Sequence, residues 1–148
     1  MTTRGHALAR WALWVVLPLA LGVLSYLALR GTDIRLFSWT HALGLDAAVS
    51  AMRAWAAPLR ARVPSWLAGS GPDAAWAFSF GAAVGLVWRG RSGPAAWAWR
   101  VGCGVVAACV ELGQAARLIP GVFDAFDLVA MVGGYALGCA LVTRRAAR

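Results

Sequence analysis

The chain reads as an all-α membrane protein, with four transmembrane helices and an interfacial amphipathic helix in the first external loop. Composition is the first reason. Hydrophobic residues make up 61% of the 148 residues, charged residues only 14%, and mean hydropathy is +0.67. A soluble domain carries about 45–50% apolar and about 25% charged residues, so water is not the main solvent here. The second reason is patterning: the apolar residues fall into four runs bounded by arginine, glycine and proline. The length allows one domain, residues 1–148.

The first run, 11–29, has no charged residue; Arg4 and Arg10 precede it and Arg30 follows. About 20 apolar residues cross the hydrocarbon core. Ala28-Leu29-Arg30 is a poor cleavage site, so the run is an uncleaved span rather than a signal peptide, with Pro18 as its kink point. Residues 30–73 are more polar. Within 44–60, Leu45, Val49, Met52, Ala56 and Leu59 recur at helical spacing on one side. Asp46, Ser50, Arg53 and Arg60 do so on the other. With Trp39, Trp55 and Trp66 suited to headgroup depth, this predicts a helix lying in the interface and covering its neighbours.

Gly69-Ser-Gly-Pro-Asp73 predicts a turn, with Asp73 capping the second span, 74–88. That run is short for a bilayer unless its ends snorkel. Gly81 and Gly85 form a GxxxG, a close-packing face between membrane helices. A basic loop, 89–94, leads to the third span, 95–112. The fourth, 126–143, carries its own GxxxG at Gly134 and Gly138. These faces leave a homo-oligomer open, because packing within one chain uses them equally well.

All fourteen basic residues are arginine, and the net charge is +8. They flank the runs, where they anchor helix ends and meet anionic headgroups, and no separate patch suggests nucleic acid. Eight lie near span ends, at the two termini and in the 89–94 loop with Arg100. The other side has six, three of them deep in the long loop, so both termini are expected in the cytoplasm. Cys103, Cys109 and Cys139 sit in apolar runs without a CxxC pair and read as packing residues. No cofactor or metal is expected.

With that orientation all six acids are external. Asp73, Glu111, Asp124 and Asp127 sit at span ends, which a compact bundle brings within reach of one another, forming an outward-facing acidic rim. Carboxylates at a membrane boundary are costly unless paired, hydrated or used. Asp124 suits an N-cap, and Asp127 suits the first turn of the next helix. Glu111 resists such an account, because a carboxylate is unfavourable at a helix C-terminus; Arg117 or the Gln114 amide is its expected partner, or else burial keeps it protonated.

The order Glu111-x2-Gln114, Pro120-Gly121, Phe123-Asp124-x2-Asp127 and Gly133-Gly134 resembles the core signature of VanZ-like membrane proteins. Two positions depart from it. Val122 stands where a basic residue often follows the turn glycine, and Met131 where an Asn is often found. The resemblance implies a cell-envelope protein of bacterial cytoplasmic membranes, connected with glycopeptide (teicoplanin) resistance. Glu111, Gln114, Arg117, Asp124, Asp127 and Asp73 form the candidate polar cluster. Three function classes follow. The rim could bind a membrane lipid or a lipid-linked cell-wall precursor through its headgroup. It could catalyse a reaction on a lipid-linked substrate, although no nucleophile–base pair is evident. It could relay protons in a small carrier subunit.

Overall fold

The computed structural model describes residues 3–31, 35–119 and 123–144. Asp33, Pro120, Gly121 and Val122 lie outside the described residues. The fold is helical throughout them: α1 (Thr3–Trp11), one π turn (Ala12–Val16), α2 (Leu17–Leu29), α3 (Arg35–Ala42), α4 (Asp46–Arg60), α5 (Ser65–Val87), α6 (Pro94–Ala115) and α7 (Ala125–Arg144). Three helices are long and apolar enough to cross a membrane: Gly5–Leu29, Pro94–Ala115 and Ala125–Thr143. With its 23 residues α5 is long enough, but Ser65, Ser70 and Asp73 make its first part polar.

The distribution of side chains is the reverse of a soluble protein's. The most deeply buried residues are alanines, among them Ala56, Ala77, Ala82 and Ala107, while Leu13, Leu21, Val105, Val106 and Val129 face outward. Membrane helices gain nothing by hiding leucine from lipid, and they gain dispersion energy by letting small residues bring backbones together. A small cluster of larger side chains, Met131 and Tyr135 with Phe80, Val84 and Cys103, fills the space around Ala77 and Ala107. Met131 is thus a core residue.

The central helix is α5, which packs most extensively against α7 and next against α2. The two GxxxG motifs meet there. A Cβ on Gly81 would strike the Tyr135 carbonyl, and one on Gly85 the Val142 side chain. Likewise Gly134 abuts the Ala74 carbonyl and Gly138 the Phe78 carbonyl. Positions rise together along both helices, so α5 and α7 run parallel. By the same reading α2 is antiparallel to α5, because Gly22 abuts Ala75 and Pro72 while Arg30 reaches Gly69. Helix α6 is antiparallel to α7: Gly104 meets the Tyr135 ring while Glu111, farther along α6, accepts from the Asp124 N–H at the start of α7, and the Tyr135 hydroxyl donates to the Arg100 carbonyl at 2.6 Å.

Two proline sites show how local rules yield to packing. Ahead of Pro18 the helix widens into the π turn, where the ring would crowd the Trp14 carbonyl. The buried Ser79 hydroxyl of α5 donates to the Val15 carbonyl in that turn. The expected turn at Gly69–Asp73 does not form. Helix α5 runs straight through it, with Ser70 and Pro72 buried. A proline inside a helix costs ~3 kcal/mol, since it removes an N–H and crowds the carbonyl four residues back. Close packing of the Pro72 turn on Gly22 offsets part of that cost, as does the Arg30 guanidinium, which donates to the Gly69 carbonyl at 2.6 Å.

The amphipathic α4 also turns differently from expectation. Leu45 and Leu59 are exposed, and the face toward the bundle joins Val49 and Ala56 to Arg53 and Arg60. Arg53 Nη1 donates to the Leu27 and Arg30 carbonyls at 2.7 and 2.9 Å, and Arg60 Nη2 to the Ala28 carbonyl at 2.8 Å. The last carbonyls of α2 have no partner within their own helix, and cations suit a helix C-terminus. That need outweighs the tendency of arginine to face solvent.

Gly81→Ala and Gly138→Ala should each lower the unfolding temperature in detergent by several degrees, since backbone carbonyls block the added methyl. Gly133→Ala, with open space at its Cβ, should be neutral or stabilising by up to ~1 kcal/mol. Thermal unfolding of the three variants checks this, and equal effects would refute the close-approach account.

Candidate functional site

Asp73 of α5, beside the end of α2, is brought near Glu111 at the end of α6 and Asp124 and Asp127 at the start of α7. Asp46 stands on α4, paired with His41 at 2.8 Å. Asp124 is the N-cap of α7: its Oδ1 accepts from the Phe126 N–H at 2.8 Å, and its carbonyl accepts from Leu128 at 3.1 Å. Glu111 is buried, with 7% of its surface exposed, and its Oε2 accepts from the Asp124 N–H at 3.4 Å. The expected pairing of Glu111 with Arg117 or Gln114 is not what the structure shows. Although Glu111 lies in the last turns of its own helix, its carboxylate is turned toward the positive N-terminal end of α7. There a negative charge contributes ~0.3–1 kcal/mol instead of opposing the dipole.

Arg117 has another task. It is exposed and ends α6 in a Schellman motif: its N–H bonds the Gln114 carbonyl at 3.0 Å, and the Leu118 N–H bonds the Gly113 carbonyl at 2.8 Å. The motif puts Arg117 at φ 57°, the left-handed region that glycine normally fills, as Gly44 does after α3 at φ 69°. Left-handed backbone costs a side-chain-bearing residue ~1–2 kcal/mol. Gln114 is half-buried beside this turn.

Asp73 stands on α5 one residue ahead of the apolar run 74–88, and its Oδ2 lies 3.1 Å from Arg30 Nη2. The same guanidinium sits 5.1 Å above the Tyr26 ring. Burial pushes the Asp73 carboxyl up to about 6; Arg30 opposes this, while Asp127 and then Glu111 add to it. Three carboxyl groups therefore share one electrostatic neighbourhood. Asp127, in the first turn of α7, keeps Oδ1 shielded from solvent and without a hydrogen-bond partner. Among the described residues no three His, Cys, Asp or Glu side chains gather as metal ligands.

Asp73 also lines a groove of about 320 Å³ between α2, α3 and α5. Leu19, Val23 and Leu36 supply apolar walls, and Tyr26, Trp39 and Trp76 add aromatic rings to the lining. The groove residues other than Asp73 carry no sequence signature. Only the aromatic enrichment of the interfacial region hinted at them.

No family model matches the chain, and neither a curated protein nor a solved structure does.

With its carboxyl raised to about 6 against an ordinary aspartate value near 4, the native state binds more protons than the unfolded chain across that interval. The stabilisation is complete below pH ~4 and is lost as pH rises through ~6. Wild-type unfolding temperature in detergent should therefore fall between pH 4 and pH 6.5, and Asp73→Asn should flatten this slope. Parallel profiles for the two proteins would assign the dependence to other groups.

Proposed function

We propose that the chain is a four-span protein of the bacterial cytoplasmic membrane, with both termini in the cytoplasm, and that its acidic end binds the headgroup of a lipid or lipid-linked cell-wall precursor at the outer leaflet. Helix direction supports the fourth span. With α2 antiparallel to α5, α5 parallel to α7 and α6 antiparallel to α7, helices α2 and α6 point the same way. Two spans of one direction need a return crossing between them, and α5 is the helix in that place. Its 74–88 segment is short, and Trp76 and Trp88 near its ends suit the two interfaces.

The observation that carries the binding role is the meeting of Asp73, Asp127 and Glu111 beside the aromatic groove. Ligand sites are mostly apolar clefts of about 300–1,000 Å³ with a few placed polar groups, and this groove has that size and lining. Its apolar wall suits an acyl or isoprenoid chain. Its carboxylate and rings suit the hydrogen-bond donors or ammonium group of a headgroup. Glu111 and Asp124 hold the start of α7 in place, which leaves Asp73 as the carboxylate that meets a ligand in the groove, with Asp127 acting on it electrostatically. In the setting of the VanZ-like resemblance, occupancy of such a headgroup gives tolerance to teicoplanin.

The test is expression in a glycopeptide-sensitive Gram-positive host, with membrane abundance matched. Wild type should raise the inhibitory teicoplanin concentration severalfold. Asp127→Asn, whose Oδ1 holds no bond that the fold needs, should abolish the effect, and Glu111→Gln should weaken it. No protection by abundant wild-type protein would overturn the teicoplanin role.

A further inference from the structure

A second cavity, of about 400 Å³, lies at the junction of α2, α4 and α5 and has the opposite chemistry. Arg30, Arg60, Ser65, Gly31 and Gly69 line it, and no acidic residue does. Arg53 stands close by, its carbonyl 3.5 Å from Arg60 Nη2. The two guanidiniums are only partly satisfied. Arg30 spends Nη2 on Gly69 and Asp73, and Arg60 spends Nη2 on the Ala28 and Arg53 carbonyls. The Nε of each has no hydrogen-bond partner. A guanidinium presents five N–H donors, and shielded donors without acceptors are costly.

The start of α5 adds to this. Pro64 occupies the cap position and gives the helix no side-chain cap bond, and Ser65, the first residue of α5, is part of the cavity wall. Paired arginines, a hydroxyl and a helix start together make a site for a tetrahedral oxyanion. We propose that this cavity binds a phosphate group, carried by an anionic lipid headgroup or present as free phosphate. The surroundings place it at headgroup depth: Trp55 and Trp66 are 81% and 56% exposed, beside exposed Leu59 and Leu67. The phosphate oxygens accept from Arg30 and Arg60 on one side and from Ser65 on the other. The cavity shares Arg30 with the acidic groove, through its pairing with Asp73, but its own lining holds no acidic residue.

The full chain in a neutral detergent would be titrated with phosphatidic acid, with diacylglycerol of the same acyl chains and with inorganic phosphate. Native mass spectrometry and unfolding temperature give the readout. Phosphatidic acid should bind and raise the unfolding temperature, and diacylglycerol should not. Arg60→Gln should weaken binding by about tenfold, in keeping with loss of one charge-assisted contact worth ~1.4 kcal/mol. Because Arg60 also closes α2, Ala68→Leu, which fills the cavity without touching that bond, serves as the second variant and should also abolish binding. Inorganic phosphate that stabilises wild type where phosphatidic acid does not would identify the free anion as the source. Diacylglycerol binding as well as phosphatidic acid, or undiminished binding by folded Ala68→Leu and Ser65→Ala, would overturn the proposal.

Discussion

The contact on which the structure depends is the backbone-to-backbone approach of α5 and α7. Lipid offers no hydrophobic reward for helix association, so what holds two apolar helices together is short-range dispersion and weak Cα–H···O contact. Both fall off within fractions of an ångström. Four glycines, Gly81, Gly85, Gly134 and Gly138, make the approach sterically possible. They also fix the rotation of each helix about its axis. Once those faces are engaged, Asp73 meets Arg30 at the end of α2, and Asp127 comes within electrostatic reach of Asp73. The acidic site is thus a consequence of a packing seam that carries no charge.

A second constraint shapes the polar ends. Helix termini leave carbonyls and N–H groups unpaired, and near a bilayer water is a poor remedy. This chain closes them with side chains from other elements. Arg53 and Arg60 serve the end of α2, Arg100 donates to the Trp88 carbonyl after α5 at 2.9 Å, and Asp124 with Glu111 serves the start of α7. The same rule sorts the acidic residues. Glu111 and Asp124 are engaged in closing a helix. Asp73 shares Arg30 with a backbone carbonyl, and Asp127 has an oxygen with nothing to accept from.

What was legible in the sequence follows from the range of the forces involved. Runs 11–29, 95–112 and 126–143 announced α2, α6 and α7 because length and apolarity are local properties. Asp73, Glu111, Asp124 and Asp127 are legible as acids at run ends, a local property, and Gln114 and Arg117 share that end only as parts of the turn that closes α6. The partners of the acids are not legible. Glu111 was assigned partners near it in sequence, whereas its bond runs to Asp124 in another helix. The Gly69–Asp73 segment has the composition of a turn, and its helical state is accompanied by packing on Gly22 and a bond from Arg30, both far away in the chain. Arg53 and Arg60 looked solvent-facing because an amphipathic pattern sorts by polarity and does not register unpaired carbonyls on a neighbour.

The choice of arginine at every basic position fits this architecture. Arg30 Nη2 meets the Gly69 carbonyl and the Asp73 carboxylate together while the guanidinium plane lies over Tyr26. Arg53 Nη1 bridges two carbonyls, that of Leu27 in the last turn of α2 and that of Arg30 just after it. Each task needs several donors in a fixed plane and a charge that survives partial burial. A lysine ammonium is a compact, strongly hydrated point charge that gives up its proton when desolvated, and it stacks poorly on a ring. In a chain whose helix ends are sealed at the bilayer surface by cations, guanidinium is the group that can reach, bridge and remain charged. Arg30, which ties the acidic groove to the basic cavity, performs all three tasks with one side chain.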